Sequence, residues 1–348
     1  MVTIVYTVII FMLGLFTKMN DEKARKRFLV LSGIILVLIS GLRSYDINSG
    51  DTFQYAVMFM QDTRMSFQAI LNSGIKDPFY HVFSKCISLV LGNNFSIILI
   101  VFSIVYIYSF EKLIQKESPN LLLSFVVFFS MGFFFFSMNG ARQSLAIAFV
   151  MLAYFPLKEK KLFRFLVFVF IATCFHKTAV IFVVAYPFCR LGFNKKVAFL
   201  YLSLIIVLMF MGNTLIHGFA LEMSTYDERF VYYAESERAL SFAGFIQLCL
   251  FFVLTITNWS RFKAEDSDAS MLITILVLAM IFQVFAVFIA EMFRVAMYFS
   301  TFLVVLVPRL LQTYPPSYRK LLTSILCALL LLYFYTNPNR LNYSFFWN

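Results

Sequence analysis

Four short polar clusters interrupt an otherwise apolar chain, and each holds a side chain that could bind an anion or accept a proton. The first is GLRSYDINSGDT at 41–52, where Arg43 is followed by Asp46 and Asp51. One explanation is an arginine at a helix C-terminus, then a turn and a helix capped by Asp51 or Thr52. Asp51 is equally a candidate general base, because a carboxylate can accept a proton from a hydroxyl group.

The second cluster, NGARQ at 139–143, is a polar break between two strongly apolar stretches. Gly140 lets the chain turn there, so that Arg142 falls in the first turn of the next helix. A cation at that position opposes the helix dipole unless an anion lies opposite it, and helix N-termini themselves attract anions. The cluster therefore indicates a phosphate site, with an interfacial arginine that extends its charge to water as the alternative.

The third cluster, CFHKT at 174–178, forms the turn of a tight hairpin between apolar flanks. Histidine is the most frequent general acid or base in enzymes, which makes His176 a candidate for proton transfer. The alternative is a histidine that only caps the turn.

The fourth cluster, EMFRVAMY at 291–298, places Glu291, Arg294 and Tyr298 at i, i+3 and i+7. That spacing puts the three side chains on one face of a helix. An internal ion pair between Glu291 and Arg294 would explain both charges without any function. An arginine that binds an anion is the other explanation.

The composition requires membrane helices to position these clusters. The 348 residues are 61% hydrophobic and 14% charged, whereas soluble domains are about half apolar and about a quarter charged. Soluble enzymes and nucleic-acid-binding proteins are therefore excluded. The net charge of +11 does not require an anionic partner, because membrane proteins collect Lys and Arg in their cytoplasmic loops.

The apolar pattern predicts an all-α integral membrane protein, a polytopic bundle of about twelve transmembrane helices forming a single domain over 1–348. A span needs about 20 apolar residues. The candidate spans are 2–17, 28–43, 95–112, 121–137, 141–157, 162–175, 177–190, 196–212, 241–257, 270–290, 294–311 and 320–335. A shorter apolar stretch at 79–92 is either a half-helix or a full span beside a neighbour that does not cross.

The basic residues set the orientation of these spans. Lys and Arg are densest at 18–27 and recur at 158–164, which places both segments in the cytoplasm. Two long loops, 44–78 and 213–240, then face outward. Apolar residues at helical spacing within 53–72 predict short helices on the membrane surface.

Four candidate side chains converge on the outer face in this topology: Arg43, Arg142, His176 and Arg294. Three guanidiniums at one surface repel one another unless an anion binds between them. A lipid-linked diphosphate has that charge at that depth. No histidine-rich or DxD-type metal site accompanies these residues, so we expect neither a metal nor another cofactor.

The same clusters carry a family likeness. In chain order, GLRS-x6-DT, NGARQSLAIAF, a basic loop leading to FHKTAVIF, and RVAMYF followed by Pro308 resemble the motifs of the EpsG family of Wzy-type polysaccharide-repeat polymerases. The segment KDPFY at 76–80, ahead of an apolar helix, is also similar to that family. The likeness spans about residues 28–311.

This resemblance implies a multi-pass glycosyltransferase of the bacterial plasma membrane with a GT-C-like architecture. Such enzymes join oligosaccharide repeat units carried on undecaprenyl diphosphate, at the outer face of the membrane and without a nucleotide sugar. The product is exopolysaccharide, capsule or O-antigen. The implied partners are a lipid-linked donor, a lipid-linked acceptor, the bilayer, and a chain-length regulator or flippase of the same pathway; nucleic acid is not among them.

The residues of the four clusters fit these roles. We assign diphosphate binding to Arg142 and Arg294, assisted by Arg43, because a guanidinium can bind two phosphate oxygens at once. His176 is the first choice for the base that activates the acceptor hydroxyl, and Asp51 is the second. Further expected substrate contacts are Gln143, Glu291, Tyr298 and the tyrosines of 213–240.

Two other functional classes compete with this interpretation. A flippase for lipid-linked oligosaccharides predicts two pseudo-symmetric halves with charges near the bilayer midplane, and the sequence indicates neither. A non-catalytic scaffold of a polysaccharide assembly complex fits the composition equally well. The lipid-linked products that accumulate in a mutant strain would separate the three classes.

Overall fold

Every regular element in the described part of the chain is helical, so the prediction of an all-α protein is confirmed. The computed structural model describes residues 2–17, 19, 21–46, 51–224, 242–336 and 343–346. The chain divides into two compact units. One is Met1–Val180 with Val307–Asn348, and the other is Ile181–Leu306.

The N-terminal part of the first unit carries ten α-helices among its described residues. They are α1 Val2–Phe16, α2 Glu22–Gly41, α3 Asp51–Arg64, α4 Phe67–Asn72, α5 Pro78–Leu91, α6 Phe95–Glu117, α7 Leu121–Ser130, α8 Phe133–Asn139, α9 Ala141–Lys158 and α10 Leu162–Phe175.

The second unit begins within a 3-10 helix, Lys177–Val184. Its α-helices are α11 Ala185–Arg190, α12 Lys195–Ser224, α13 Ala243–Thr257, α14 Trp259–Glu265, α15 Ala269–Phe288 and, after a 3-10 helix at Ala290–Met292, α16 Phe293–Ser300. The chain returns to the first unit through α17 Leu303–Gln312 and ends its helical part with α18 Pro316–Tyr335.

Helix α9 is central to the first unit. It packs along α6 and α10, and most of its side chains are buried. Helix α2 lies against α6, and Gly41 approaches α6 so closely that a Cβ there would stand 2.5 Å from Cγ1 of Ile100 and 2.9 Å from its Cα. Helix α10 contacts α5, which in turn packs on α3 and α4.

Helix α15 has the same role in the second unit. It is buried along most of its length and contacts α11, α12, α13 and α16.

Several helices are suited to cross a membrane, which identifies a membrane protein. Among the described residues, four are long and apolar enough: α6, residues 195–215 of α12, α15 and α18. Three bent pairs, α7 with α8 (51°), α13 with α14 (73°) and α16 with α17 (44°), raise the number to seven if each pair is one span. The predicted count of about twelve is not confirmed, because segments such as α1 and α10 form apolar helices of only 10–17 residues.

The structure also tests the predicted loops. The short helices expected within 53–72 are present as α3 and α4, so their existence is confirmed. The predicted helix at 177–190 is helical throughout but divided, because a 3-10 helix occupies Lys177–Val184 and α11 the rest. The loop predicted at 213–240 starts later, since α12 continues to Ser224, and residues 225–241 lie outside the described part.

Candidate active site

A buried carboxylate, Asp77, lies where three helix ends meet. It precedes Pro78 and caps the N-terminus of α5 in the left-handed conformation, with φ 57° and ψ 58°. This conformation costs about 1–2 kcal/mol in a non-glycine residue, and a following proline disfavours it further. The Asp77 side chain is 0% exposed. Backbone strain beside a buried charge points to a functional position.

His176, the predicted general base, binds this carboxylate. It caps the C-terminus of α10, and its Nδ1 lies 3.1 Å from Oδ2 of Asp77. The other oxygen, Oδ1, accepts a hydrogen bond of 3.2 Å from the backbone N–H of Lys177. Because an ionised carboxylate only accepts, Nδ1 of His176 is the donor of this bond, and the tautomer with its single proton on Nδ1 has a lone pair on Nε2. The His176 side chain is 13% exposed, so the ring remains accessible.

Arg142, the predicted diphosphate ligand, approaches the same carboxylate oxygen. Its Nη1 lies 3.4 Å from Oδ2 of Asp77 and donates to the carbonyl of Lys76 at 3.1 Å. Its guanidinium carbon lies 5.8 Å from the ring centre of Tyr55, a cation–π contact. Its Nε is buried without an acceptor among the described residues, and the side chain is 16% exposed. Arg142 is therefore held in place by Asp77, Lys76 and Tyr55, with part of its side chain still exposed.

These contacts keep Asp77 ionised. Burial raises the pKa of Asp77, but the hydrogen bond from His176, the Lys177 N–H and the charge of Arg142 together outweigh it. The pKa of Asp77 therefore lies below its ordinary value. A carboxylate in this position orients the imidazole and stabilises the imidazolium that forms when His176 accepts a proton. Chemically, the cluster unites a base, an orienting anion and a cation that can hold a phosphate.

Arg43 is buried elsewhere in the same unit, in a shell of hydrogen-bonded groups formed by Ser40, Thr52 and Met138. Its guanidinium donates to the carbonyl of Ser40, and its Nε lies 3.4 Å from Oγ1 of Thr52. That hydroxyl donates to the carbonyl of Met138 at 3.1 Å. Arg43 is 7% exposed. Direct contact between Arg43 and a diphosphate requires this shell to open, so its assisting role stays a prediction.

A small cavity adjoins Arg43. Its volume is ≈ 10 Å³, which is room for about one water molecule. The polar residues that line it are Ser40, Arg43, Ser103, Tyr106, Ser137 and Ser144.

Residues near position 344 pair with the segment 42–44, which we call the Arg43 loop. The segment 344–346 pairs antiparallel with 42–44 through backbone hydrogen bonds of 2.8 and 3.1 Å. The hydroxyl of Tyr343 donates to the carbonyl of Ile39 at 2.6 Å, although the two residues are 304 positions apart.

Two other predicted residues of this unit stand outside the Asp77 cluster. Asp51 is exposed and begins α3, while Gln143 is buried within α9. The hydrogen bonds and ion pairs of Asp77 and His176 within the described residues include neither of them. Also within the described residues, no three His, Cys, Asp or Glu side chains are grouped as metal ligands.

The remaining predicted residues belong to the second unit. Glu291 lies in the 3-10 helix, Arg294 is exposed in the first turn of α16, and Tyr298 is fully buried. The three residues do not belong to one α-helix, because Glu291 lies in the 3-10 helix before α16. That they share one helical face stays a prediction. The diphosphate role of Arg294 stays a prediction.

Sequence reasoning did not select Asp77 as a site residue. Asp77 and His176 are 99 positions apart, so no local spacing connects them. The available signal was the Asp-Pro pair at 77–78, which starts an apolar helix inside the family-like segment KDPFY. An aspartate before proline is a typical turn residue, so the pair at 77–78 indicates a turn and not a site residue.

Comparison with known families covers nearly the whole chain. The sequence model of the EpsG family matches residues 26–346. The chain belongs to the EpsG family. Members of the EpsG family are Wzy-like polymerases, and the matched region contains all four polar clusters. No curated protein and no solved structure matches this EpsG-family chain with significance.

Proposed function

We propose that this EpsG-family protein joins oligosaccharide repeat units carried on a lipid diphosphate, with Asp77, His176 and Arg142 as its reacting centre. The observation that carries the proposal is that Oδ2 of Asp77 lies 3.1 Å from His176 and 3.4 Å from Arg142. Family membership and the apolar helices support a polysaccharide polymerase in a membrane. The undecaprenyl carrier, the outer face of the plasma membrane and catalysis without a metal are parts of the proposal.

The base in this reaction is Nε2 of His176. It accepts the proton of an acceptor hydroxyl, and the hydroxyl oxygen bonds to the anomeric carbon of the donor chain. The bond from that carbon to the diphosphate breaks, and its electron pair leaves with the lipid diphosphate. Asp77 stabilises the imidazolium until His176 releases the proton to solvent.

The cation in this reaction is Arg142. The leaving diphosphate gains negative charge as the glycosidic bond breaks, and a preorganised guanidinium lowers the energy of that state. The N-terminal end of α9 adds a partial positive charge at the same place.

The other predicted residues keep their predicted roles in this proposal. Arg294 is the second diphosphate ligand, because it is exposed at the start of a helix. Arg43 assists when its shell opens. The remaining assignments are to substrate binding: Gln143, Glu291 and Tyr298.

Replacing the base and the cation tests the proposal. His176→Gln removes the titrating ring, and polymerisation by purified protein on lipid-linked repeat units should slow by about 10²–10⁴-fold. Arg142→Lys should also be severely impaired, because an ammonium cannot replace a bidentate fork. Lys177→Gln is the matched control, since this exposed neighbour contacts Asp77 only through its backbone.

The lipid-linked intermediates of the His176→Gln strain separate the competing classes. A polymerase defect accumulates single repeat units that have already crossed the membrane. Units retained on the cytoplasmic side would indicate a flippase, and unchanged intermediates a scaffold. If Asp51→Asn abolishes polymerisation while His176→Gln retains it, the base is Asp51.

A further inference from the structure

A second aspartate–histidine pair lies one helical turn from Asp77, and the proposed reaction does not use it. The two carboxylate oxygens of Asp62 lie 2.8 and 2.9 Å from Nδ1 of His81. The side chains of Asp62 and His81 are 2% and 3% exposed. Nε2 of His81 is buried without a partner among the described residues. A pair this enclosed cannot contact a sugar.

A lysine reinforces the pair. Lys85 donates from Nζ to the carbonyls of Asp62 at 3.3 Å and Thr63 at 3.2 Å. These carbonyls belong to the last turn of α3, where a cation is favourable for the helix dipole. Helix α5 thus binds the C-terminal end of α3 through two polar side chains, His81 and Lys85. Buried ionic contacts usually add little net stability over apolar side chains, so another role needs to be considered.

The geometry connects this pair to Asp77. His81 and Lys85 are four residues apart on one side of α5, and Asp77 caps the N-terminus of the same helix four residues before His81. Apolar contacts alone would let two short helices slide or rotate against each other. A directional hydrogen bond between buried groups fixes their rotation.

The buried face of α3 reaches the arginines as well. Its residues follow a spacing of three or four, which is one helical face. Thr52 contacts Arg43, and Tyr55 lies under the guanidinium of Arg142. Helix α3 is therefore the element that both arginines and α5 contact.

We propose that Asp62 and His81 are positioning residues: their buried hydrogen bond fixes α5 against α3 and thereby holds Asp77 in the orientation that binds His176. This inference rests on the proposed function, because it takes Asp77 and His176 as parts of the reacting centre.

A double variant, Asp62→Leu with His81→Phe, tests it. Apolar side chains of similar size can replace both partners of a buried hydrogen bond with little loss of stability, and Lys85 keeps its two backbone carbonyl acceptors. We expect near-normal amounts in the membrane and a near-normal unfolding temperature. The value of kcat should fall at least about tenfold, because small misplacements of reacting groups are costly. KM for the lipid-linked donor should change less than kcat.

The single variant His81→Asn is the matched control. The amide nitrogen of asparagine can take the place of Nδ1 and donate to Asp62, so kcat should stay close to that of the wild type. If the pair serves stability alone, the folded double variant will also have the wild-type kcat, and the proposal is overturned.

A thermodynamic cycle with Asp77→Asn shows whether the pair acts through Asp77. Adding the double variant to Asp77→Asn should lower kcat little further, because coupled positions are not additive. If the fold-losses in kcat of Asp77→Asn and of the double variant multiply when they are combined, the positioning role is overturned while the reacting centre stands. A wild-type kcat for Asp77→Asn alone would instead overturn the reacting centre, and this inference with it.

Discussion

The ionised state of Asp77 predicts a pH dependence of stability. Its pKa in the folded protein lies below the ordinary value, despite burial, because of His176, the Lys177 N–H and Arg142. Such a group stabilises the fold fully above its unfolded-state pKa, and the contribution is lost as pH falls through the folded-state pKa.

We therefore expect the unfolding temperature of the wild type in detergent to fall as the pH drops below the ordinary aspartate pKa of about 4 and on through the lower pKa of the folded protein. The Asp77→Asn variant should be less stable than the wild type at pH 7 but should lose less stability over that range. Thermal unfolding of both proteins across the pH series checks this. Parallel curves for the two proteins would contradict the assignment.

The contact between Tyr55 and Arg142 predicts that an aromatic ring at position 55 is needed for binding of the lipid diphosphate. Its ring lies 5.8 Å from the guanidinium carbon of Arg142, so the ring face, not the hydroxyl, makes the contact. Tyr55→Phe should retain most polymerase activity, whereas Tyr55→Leu should raise KM for the lipid diphosphate several-fold. Steady-state kinetics with purified donor distinguish the two. Equal loss in both variants would assign the effect to the hydroxyl.

At the element scale, the contact between α2 and α6 depends on Gly41. A Cβ at this position would stand 2.9 Å from Cα of Ile100, which is backbone and cannot rotate away. Gly41→Ala should therefore separate the two helices beside Arg43 and lower the free energy of unfolding by about 1–3 kcal/mol. Thermal unfolding in detergent measures the change.

Gly218→Ala is the control for this substitution. Gly218 lies within α12, and a Cβ there meets nothing within 4 Å among the described residues. Alanine favours helix over glycine by up to about 1 kcal/mol. The unfolding temperature of the Gly218→Ala variant should be unchanged or higher than that of the wild type. A drop equal to that of Gly41→Ala would show that the loss at Gly41 does not come from a steric clash with Ile100.

The same elements show what sequence alone could predict. The polar break at 139–143 correctly predicted that a helix begins beside Arg142, because the signal is local. Hydropathy merged α7 and α8 into one span, because the run of Phe residues continues through the bend at Gly132, where φ is 81°. The partner of His176 could not be predicted, because the signal for it is not local. Asp77 is remote in sequence, and only the packing of α5 against α10 brings it close.

At the scale of the whole molecule, α9 relates the candidate site to a second charged cluster. Arg142 is at its N-terminal end and Lys158 at its C-terminal end, about 24 Å apart at about 1.5 Å per residue. Oε2 of Glu117 accepts from Lys158 at 2.7 Å and from Arg309 at 3.0 Å. This separation is somewhat shorter than a bilayer core, which is about 30 Å thick, and we predict from the basic residues at 158–164 that the two clusters lie at opposite membrane faces.

Cysteine labelling tests this topology in a background where the five native cysteines are replaced. Ser73→Cys, at the exposed end of α4, should react with an impermeant maleimide in intact cells. Lys161→Cys, in the exposed turn after α9, should react only after the cells are opened. The reverse pattern would place the candidate site on the cytoplasmic face.

The pairing of 344–346 with the Arg43 loop has a consequence for biosynthesis. Tyr343 and Ile39 are 304 residues apart, so the ribosome must translate 304 further residues after Ile39 before this contact can form. At about 5–20 residues per second, the loop waits on the order of 15–60 s for its partner strand. During that interval a charged arginine is newly inserted but incompletely enclosed. Insertion chaperones therefore have a defined period in which to hold the early helices, and synthesis arrested short of the partner segment should leave a nascent protein that proteases can recognise.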